Sequence, residues 1–209
     1  MGHAGAAAAA VRYLRSAGTP GQVEALPRPE LRCVGDNERA PVDQTEFRRV
    51  LGTFATGVTV ITAPAPAPTA ATADEAGPAG FACQSFSSLS LDPPLIAFMV
   101  GRTSTTWPRI ARAGAFCVNI LGAHQGDLCR AFAVRGADKF TGVAYDGAPV
   151  SGSPRLTGAV AWIDCTIHAV HTGGDHLIVV GRVDALSTGD SPDGPLLFHQ
   201  GRFARLDGD

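Results

Sequence analysis

The run GAVAWIDCTIHAVHTGGDHLIVVGRVDAL, residues 158–186, constrains the fold more than any other part of the chain. It reads as two long strands rich in β-branched residues, joined near HTGGDH, where Gly173 and Gly174 supply a turn. Two strands joined that tightly pair antiparallel, because a parallel partner needs a crossover of a dozen or more residues. Other segments offer strands to the same sheet. VTVITA (58–63) is β-branched, PPLIAFMV (93–100) and AFCVNIL (115–121) are nearly continuous apolar runs suited to burial on both sides, and PLLFHQGRFARL (195–206) reads as a short pair around Gly201. Helices are fewer and shorter. Phe47, Val50, Leu51 and Phe54 recur at helical spacing after Asp43, with Gly57 as a stop. TSTTWPRIARAG (103–114) predicts a helix capped by Thr105 or Thr106 with Pro108 in its first turn, and HQGDLCRAFAV (124–134) predicts another. The expectation is a mainly β fold with short helices, its sheet a closed or nearly closed antiparallel barrel.

Within that frame, GFACQSFSSLSLDPPLIAFMVG (80–101) is unusual, since Ser85, Ser87, Ser88 and Ser90 sit between two strand-like segments. Phe86, Leu89 and Leu91 keep a two-residue period only if the register slips near Ser87 and Ser88, as at a bulge, and the serines then share one side. Such a surface is either a solvated sheet face or a polar shelf for a flat ligand with many hydrogen-bonding edges.

A chain of 209 residues, 45% hydrophobic, supports one substantial core. Residues 1–41, rich in Ala, Gly and Pro, read as a flexible tail with a short Ala-rich helix around residues 6–14. Residues 42–209 read as the folded domain, interrupted by a mobile Pro/Ala-rich loop at 63–79. The net charge of −2 leaves no electrostatic footprint for nucleic acid or an anionic membrane, and no stretch is long enough to span a bilayer. Five scattered cysteines without a CxxC pair point to reduced thiols and a cytoplasmic location.

Two further stretches carry chemistry. GRTSTTWPRI places hydroxyls and the Arg102 guanidinium before a helix start, which suits a phosphate, or the threonines merely cap the helix. HAVHTGGDH holds His168, His171 and His176, but alternation on a strand sends the first two to opposite faces, so no metal site is expected. Asp175 and His176 either close a hairpin or face a ligand. No GxGxxG follows a strand, so a Rossmann-type nicotinamide site is not expected.

FRRVLGTFATGVTVIT, GFACQSFSSLSLDPPL, TSTTWPRI, FCVNIL, DKFTGV, GDHLIVVGRV and PLLFHQGRF, in that order, resemble the flavin reductase-like family with the FMN-binding split-barrel fold. The likeness runs from about Phe47 to Leu206 and is strongest to small NADH-dependent reductase components of two-component monooxygenases. The resemblance implies a homodimeric split barrel that binds FMN or FAD, uses NADH or NADPH, and supplies reduced flavin to a separate flavin-dependent monooxygenase. It implies flavin contacts from Gly80, Phe81, Ala82, Cys83, Gln84, Ser85, Phe86, Ser87 and Ser88. Val100, Gly101, Arg102, Ser104, Thr105 and Thr106 would continue the site toward the phosphate. Phe132 is the candidate to reach a pocket lined by both subunits.

For the nicotinamide dinucleotide the resemblance implies His176, Gly201 and Arg202. No side chain is needed as a catalytic acid or base, because hydride passes directly between stacked rings. A Tyr-Arg-Gly type segment of the family reads His199-Gln200-Gly201 here, which removes a cation; in a regular strand Arg202 would face the same side as Gln200 and replace it, unless Gly201 marks a bulge that breaks the alternation. Two other readings stand beside the reductase: a flavin-binding electron carrier without fast NADH oxidation, and a flavin-retaining oxidase of the pyridoxamine-phosphate oxidase type.

Overall fold

The structure is a computed structural model that describes residues 42–67, 77–136, 138–189 and 194–206. The expected tail at 1–41, and residues 68–76 of the expected loop, lie outside the described residues.

Helix α1 spans Gln44–Leu51. Asp43 caps it, its Oδ1 accepting the N–H groups of Thr45 at 2.9 Å and Glu46 at 3.0 Å, which satisfies two donors left over by the helix geometry. The helix is shorter than its apolar spacing suggested. It ends at Gly52, and Gly57 belongs to a two-residue strand, β1 (Thr56–Gly57), paired with Phe198 and Leu197. Its apolar stripe is not packed within the chain: no α1 residue is buried, and Phe47, Val50, Leu51 and the following Phe54 are about half to three-quarters exposed.

Strands β2 (Thr59–Ala63), β3 (Ala79–Cys83), β4 (Ser87–Leu91) and β5 (Pro94–Gly101) come next. Helix α2 (Trp107–Ala113), β6 (Ala115–Ile120) and helix α3 (Gly126–Ala133) follow. A small pair, β7 (Tyr145–Gly147) and β8 (Pro154–Leu156), precedes the long strands β9 (Ala161–Gly173) and β10 (His176–Thr188). The last hairpin is β11 (Leu197–His199) and β12 (Arg202–Ala204).

The main sheet is antiparallel with order β3-β2-β6-β9-β10-β5-β4. The ladder does not close: β3 and β4 are its edges, so of the closed and nearly closed forms expected the closed one does not occur. The chain leaves β3 at Cys83 and turns before β4, and at that break the Ser85 side chain reaches β5. Its Oγ donates to the Met99 carbonyl at 3.0 Å and accepts the Met99 N–H at 3.1 Å, standing in for a missing ladder pair.

The apolar runs are explained by two clusters, one on each side of β2. Ile61 joins a core centred on Phe98, whose ring meets Phe116 at 5.1 Å, Phe81 at 6.0 Å and Trp107 of α2 at 6.3 Å. Val58 and Val60 join a second cluster with Leu121, Phe132 and Leu196 under α3. Every residue of β2 is buried, and its two threonines are satisfied there, Thr59 Oγ1 donating to Cys83 O and Thr62 Oγ1 to Pro154 O. Strand β5 departs from this expectation, because Met99 emerges from the core.

Two side-chain amides are buried among the described residues, Asn119 and Gln125, and Asn119 is fully satisfied. Its Nδ2 donates to Val60 O, Thr62 Oγ1 and Pro154 O, and its Oδ1 accepts Leu156 N–H, tying β8 to the sheet. At the β9–β10 register shift beside Gly181, a Cβ would lie 2.5 Å from Phe116 Cζ and 3.2 Å from Ile96 Cδ1. Gly181→Ala is therefore expected to destabilise the fold by about 1–3 kcal/mol through overpacking. Thermal unfolding checks this, with a midpoint lowered by about 2–10 °C; an unchanged midpoint would show that the bulge has room.

Candidate functional site

A hollow of about 1010 Å³ opens where β3, the end of β5, α3 and the β11–β12 hairpin converge. One wall comes from Phe81, Ala82, Cys83, Gln84 and Ser85, the second from Met99, Val100, Gly101 and the loop Thr103–Thr106. The third comes from α3 and the segment after it, with Cys129, Arg130, Phe132, Arg135 and Lys139. His176, Phe198, Gly201, Arg202 and Phe203 complete the lining.

Four lining side chains are basic (Arg130, Arg135, Lys139, Arg202) and none is acidic, although the whole chain carries −2. Fixed cations without carboxylates raise the local potential and favour an anionic ligand. Lys139 is half-buried, and its Nζ donates to Gly80 O at 3.1 Å and Phe132 O at 3.0 Å, clamping the end of α3 onto β3. Burial lowers its pKa below the usual lysine value. Arg130 is held by Asp127 at 2.5 Å and lies over the Phe203 ring at 4.9 Å. Burial raises the pKa of the Cys83 and Cys129 thiols, which keeps both protonated and poor nucleophiles.

Fourteen of the expected residues line the hollow: Phe81 to Ser85, Val100, Gly101, Ser104, Thr105, Thr106, Phe132, His176, Gly201 and Arg202. Five do not. Gly80 lies behind the wall, where a Cβ would come within 2.8 Å of Phe132 Cε1, so its missing side chain lets α3 sit close. Phe86 packs on the core. Ser87 is exposed and its Oγ donates to Ser88 O. Arg102 is exposed, its backbone N–H donating to Asp175 O.

The shared serine face is also corrected. The register slip occurs, between Ser88 and Ser90, but it sets Ser87 and Ser90 opposite Ala97 and Leu95 and sets Ser88 opposite the intervening Ile96. Serines opposite neighbouring β5 residues lie on opposite faces. Ser85 lines the hollow with its hydroxyl already engaged by Met99.

The helix cap differs as well. Ser104 Oγ accepts Trp107 N–H at 3.2 Å, while Thr106 occupies the cap position without a side-chain bond. Thr105 and Thr106 both line the hollow. Pro108 sits in the first turn as expected. Phe132 lines the hollow from α3 while packed within its own chain, its ring edge-on to Phe140 at 5.1 Å. Gln200 (φ 47°) and Gly201 (φ 78°) form a two-residue turn that pairs His199 with Arg202. Strand alternation therefore does not relate Arg202 to Gln200; Arg202 enters the lining alone. His176 pairs with Gly101 across β5, and its Nδ1 lies 2.8 Å from Asp175 Oδ1. That hydrogen bond, with the nearby imidazole, holds the Asp175 carboxyl below its usual range.

Val58, Met99, Thr103, Arg130, Arg135, Lys139, Phe198 and Phe203 also line the site and were not singled out as site residues from the sequence. DKFTGV was a visible signal for Lys139, but nothing in its spacing reveals that the ammonium reaches back to Gly80 O.

A mainly β scaffold thus surrounds a hollow lined by four basic and no acidic side chains, with several aromatic rings. The chain belongs to the flavin reductase-like domain family, whose pattern matches residues 51–207. It is 46% identical over 168 residues to the flavin-dependent monooxygenase reductase subunit HsaB of Rhodococcus jostii, with 80% of each chain covered. It is 45% identical over 165 residues to a flavin reductase of Pseudomonas putida, covering 79% of this chain and 91% of that one. Among solved structures, the NADH:FAD oxidoreductase SgcE6 of Streptomyces globisporus C-1027, in complex with NAD and FAD fragments, aligns with TM-score 0.71. It shares 36% identity, with 80% of this chain and 94% of that one covered.

The Lys139 clamp yields a prediction with a definite sign. A lysine whose folded pKa is depressed binds fewer protons in the native state than unfolded, so its contribution to stability rises with pH between the folded pKa and about 10.5. Urea unfolding of wild type and Lys139→Met at increasing pH is expected to show their stability difference shifting in favour of wild type through that window. A difference independent of pH would show that Lys139 is not buried as described.

Proposed function

We propose that the chain is an NAD(P)H:flavin oxidoreductase that reduces FMN or FAD and passes the reduced flavin to a separate monooxygenase. The observation that carries this reading is the hollow of four basic and no acidic side chains, beside the loop of hydroxyls at Thr103–Thr106. Flavin and nicotinamide nucleotides are both phosphorylated, so the charge suits either. The small or backbone-led wall Ala82–Ser85 suits close approach of a flat ring, and its hydrogen-bonding groups suit the ring's polar edge. The bound flavin would supply hydride acceptance; the chain's own residues orient the rings, hold the phosphates and exclude water. His176, at the rim beside Gly101, is positioned to contact the nicotinamide half, and Arg202 its phosphates.

We assign the open sheet to the split-barrel architecture and the working molecule to a homodimer. Supporting the dimer is the uncovered apolar stripe of Phe47, Val50, Leu51 and Phe54; Leu91 is also 94% exposed. The four described cysteines are free and buried, in keeping with a cytoplasmic setting, and no described helix is long and apolar enough to cross a membrane.

Two measurements test this. Mixing the purified protein with NADH and excess FMN or FAD is expected to bleach the near-ultraviolet absorbance of the reduced nicotinamide with multiple turnovers; binding of flavin without turnover would favour an electron carrier instead. Sedimentation velocity is expected to show a dimer that Phe54→Glu weakens, since a buried unpaired carboxylate is costly. A wild-type monomer would remove the dimer assignment.

A further inference from the structure

The four cations of the hollow are not equivalent. Lys139 donates to two backbone carbonyls, and Arg130 is committed to Asp127 and to the Phe203 face. Arg135 and Arg202 are different: both line the hollow, both are exposed, and among the described residues neither guanidinium has a hydrogen-bond or ion-pair partner. They come from separate elements, one just past the end of α3 and the other at the start of β12. The Thr103–Thr106 loop, which offers hydroxyls and backbone donors for a first phosphate, lies on a third element after β5. A single mononucleotide phosphate uses one such place. A site with hydroxyl donors on one wall and two uncommitted guanidinium groups on others has the means to hold anionic groups at more than one position. Its volume of about 1010 Å³ stands at the upper end of the roughly 300–1,000 Å³ usual for small-molecule sites.

We propose that Arg135 and Arg202 form a diphosphate-holding pair that recognises the ADP portion of a dinucleotide in this hollow. The inference rests on the nucleotide reading of the site given above, and it adds a residue, Arg135, and a chemical role for the pair. Guanidinium groups suit this task because their planar forks donate two hydrogen bonds to one phosphate and remain charged at every working pH. The ADP portion is common to FAD and to the nicotinamide dinucleotides, so either can be the source of the diphosphate.

ADP itself is the direct probe. Calorimetric titration of the full chain with ADP is expected to show binding, weakened by about ten-fold or more in Arg135→Ala and in Arg202→Ala, as loss of a charge-assisted contact requires. Riboflavin, which has no phosphate, is expected to bind both variants within about two-fold of wild type, and Arg135→Lys is expected to recover part of the ADP affinity. Thermal melts of the variants guard against unfolding, since both side chains are exposed. The source is read from two further arms. A drop in the FAD-to-FMN affinity ratio in the variants assigns the pair to FAD, whereas an unchanged ratio with a raised NADH dissociation constant assigns it to the nicotinamide dinucleotide. Wild type that fails to bind ADP, variants that bind it as wild type does, or variants that lose riboflavin equally would each overturn the proposal. A protein that binds ADP through the pair but ignores riboflavin and FMN would leave the pair standing and remove the flavin reading.

Discussion

The ladder between β9 and β10 is the constraint on which the rest of the molecule depends. These two strands of 13 residues pair from Gly173 and His176 at the turn to Ala161 and Thr188 at the far end. Strand β9 carries β6 on its other edge and, through it, β2 and β3; strand β10 carries β5 and β4. The two halves of the hollow's lining, Phe81 to Ser85 and Met99 to Thr106, therefore hang from opposite sides of one hairpin. Two register shifts, at Val180/Gly181 and Val183/Ala185, add the twist that turns a seven-stranded sheet around its core. Near the second shift, the fully buried Asp164 accepts the N–H groups of Val150 and Ser151 and the Ser151 hydroxyl, so the carboxylate is compensated by the loop it holds.

Charge is distributed with similar economy. Basic side chains that face the hollow are anchored in two ways. Lys139 is fixed by carbonyls and spends its charge on joining α3 to β3, while Arg130 is shielded by its own helix. The remaining pair, Arg135 and Arg202, is left for solvent or ligand. The glycine at position 80 belongs to the same arrangement, because any Cβ there would push Phe132 and with it α3 away from the clamp. One glycine and one lysine thus set the distance at which α3 closes the site.

How much of this was legible in the sequence depends on the range of the interactions involved. The long hairpin, the buried β2, the Pro108 helix start and the bulge near Ser87 are local patterns of period and turn chemistry, and they read out directly. The helix from Asp43 was overextended because spacing alone does not distinguish an apolar face that is packed from one left open, and α1 leaves Phe47 and Leu51 exposed. The serine face failed because a bulge moves the side chains beyond it to the other face, and its position by one residue decides which serines agree. Arg202 was read as an alternating strand residue, but Gln200 and Gly201 adopt positive φ and form the turn itself. Arg135 gave no usable signal and DKFTGV marked Lys139 without its reach, since their place in the lining follows from the packing of α3 on β3 across about sixty residues of sequence.

The central claim is that a flavin ring lies against residues 82–85 with its phosphate at 103–106. A crystal structure of the protein soaked with FMN tests it most directly. The account predicts density for the isoalloxazine along the Ala82–Ser85 wall and a phosphate within hydrogen-bond reach of the Thr103–Thr106 loop. FMN bound elsewhere on the molecule, with this hollow occupied only by solvent, would contradict it.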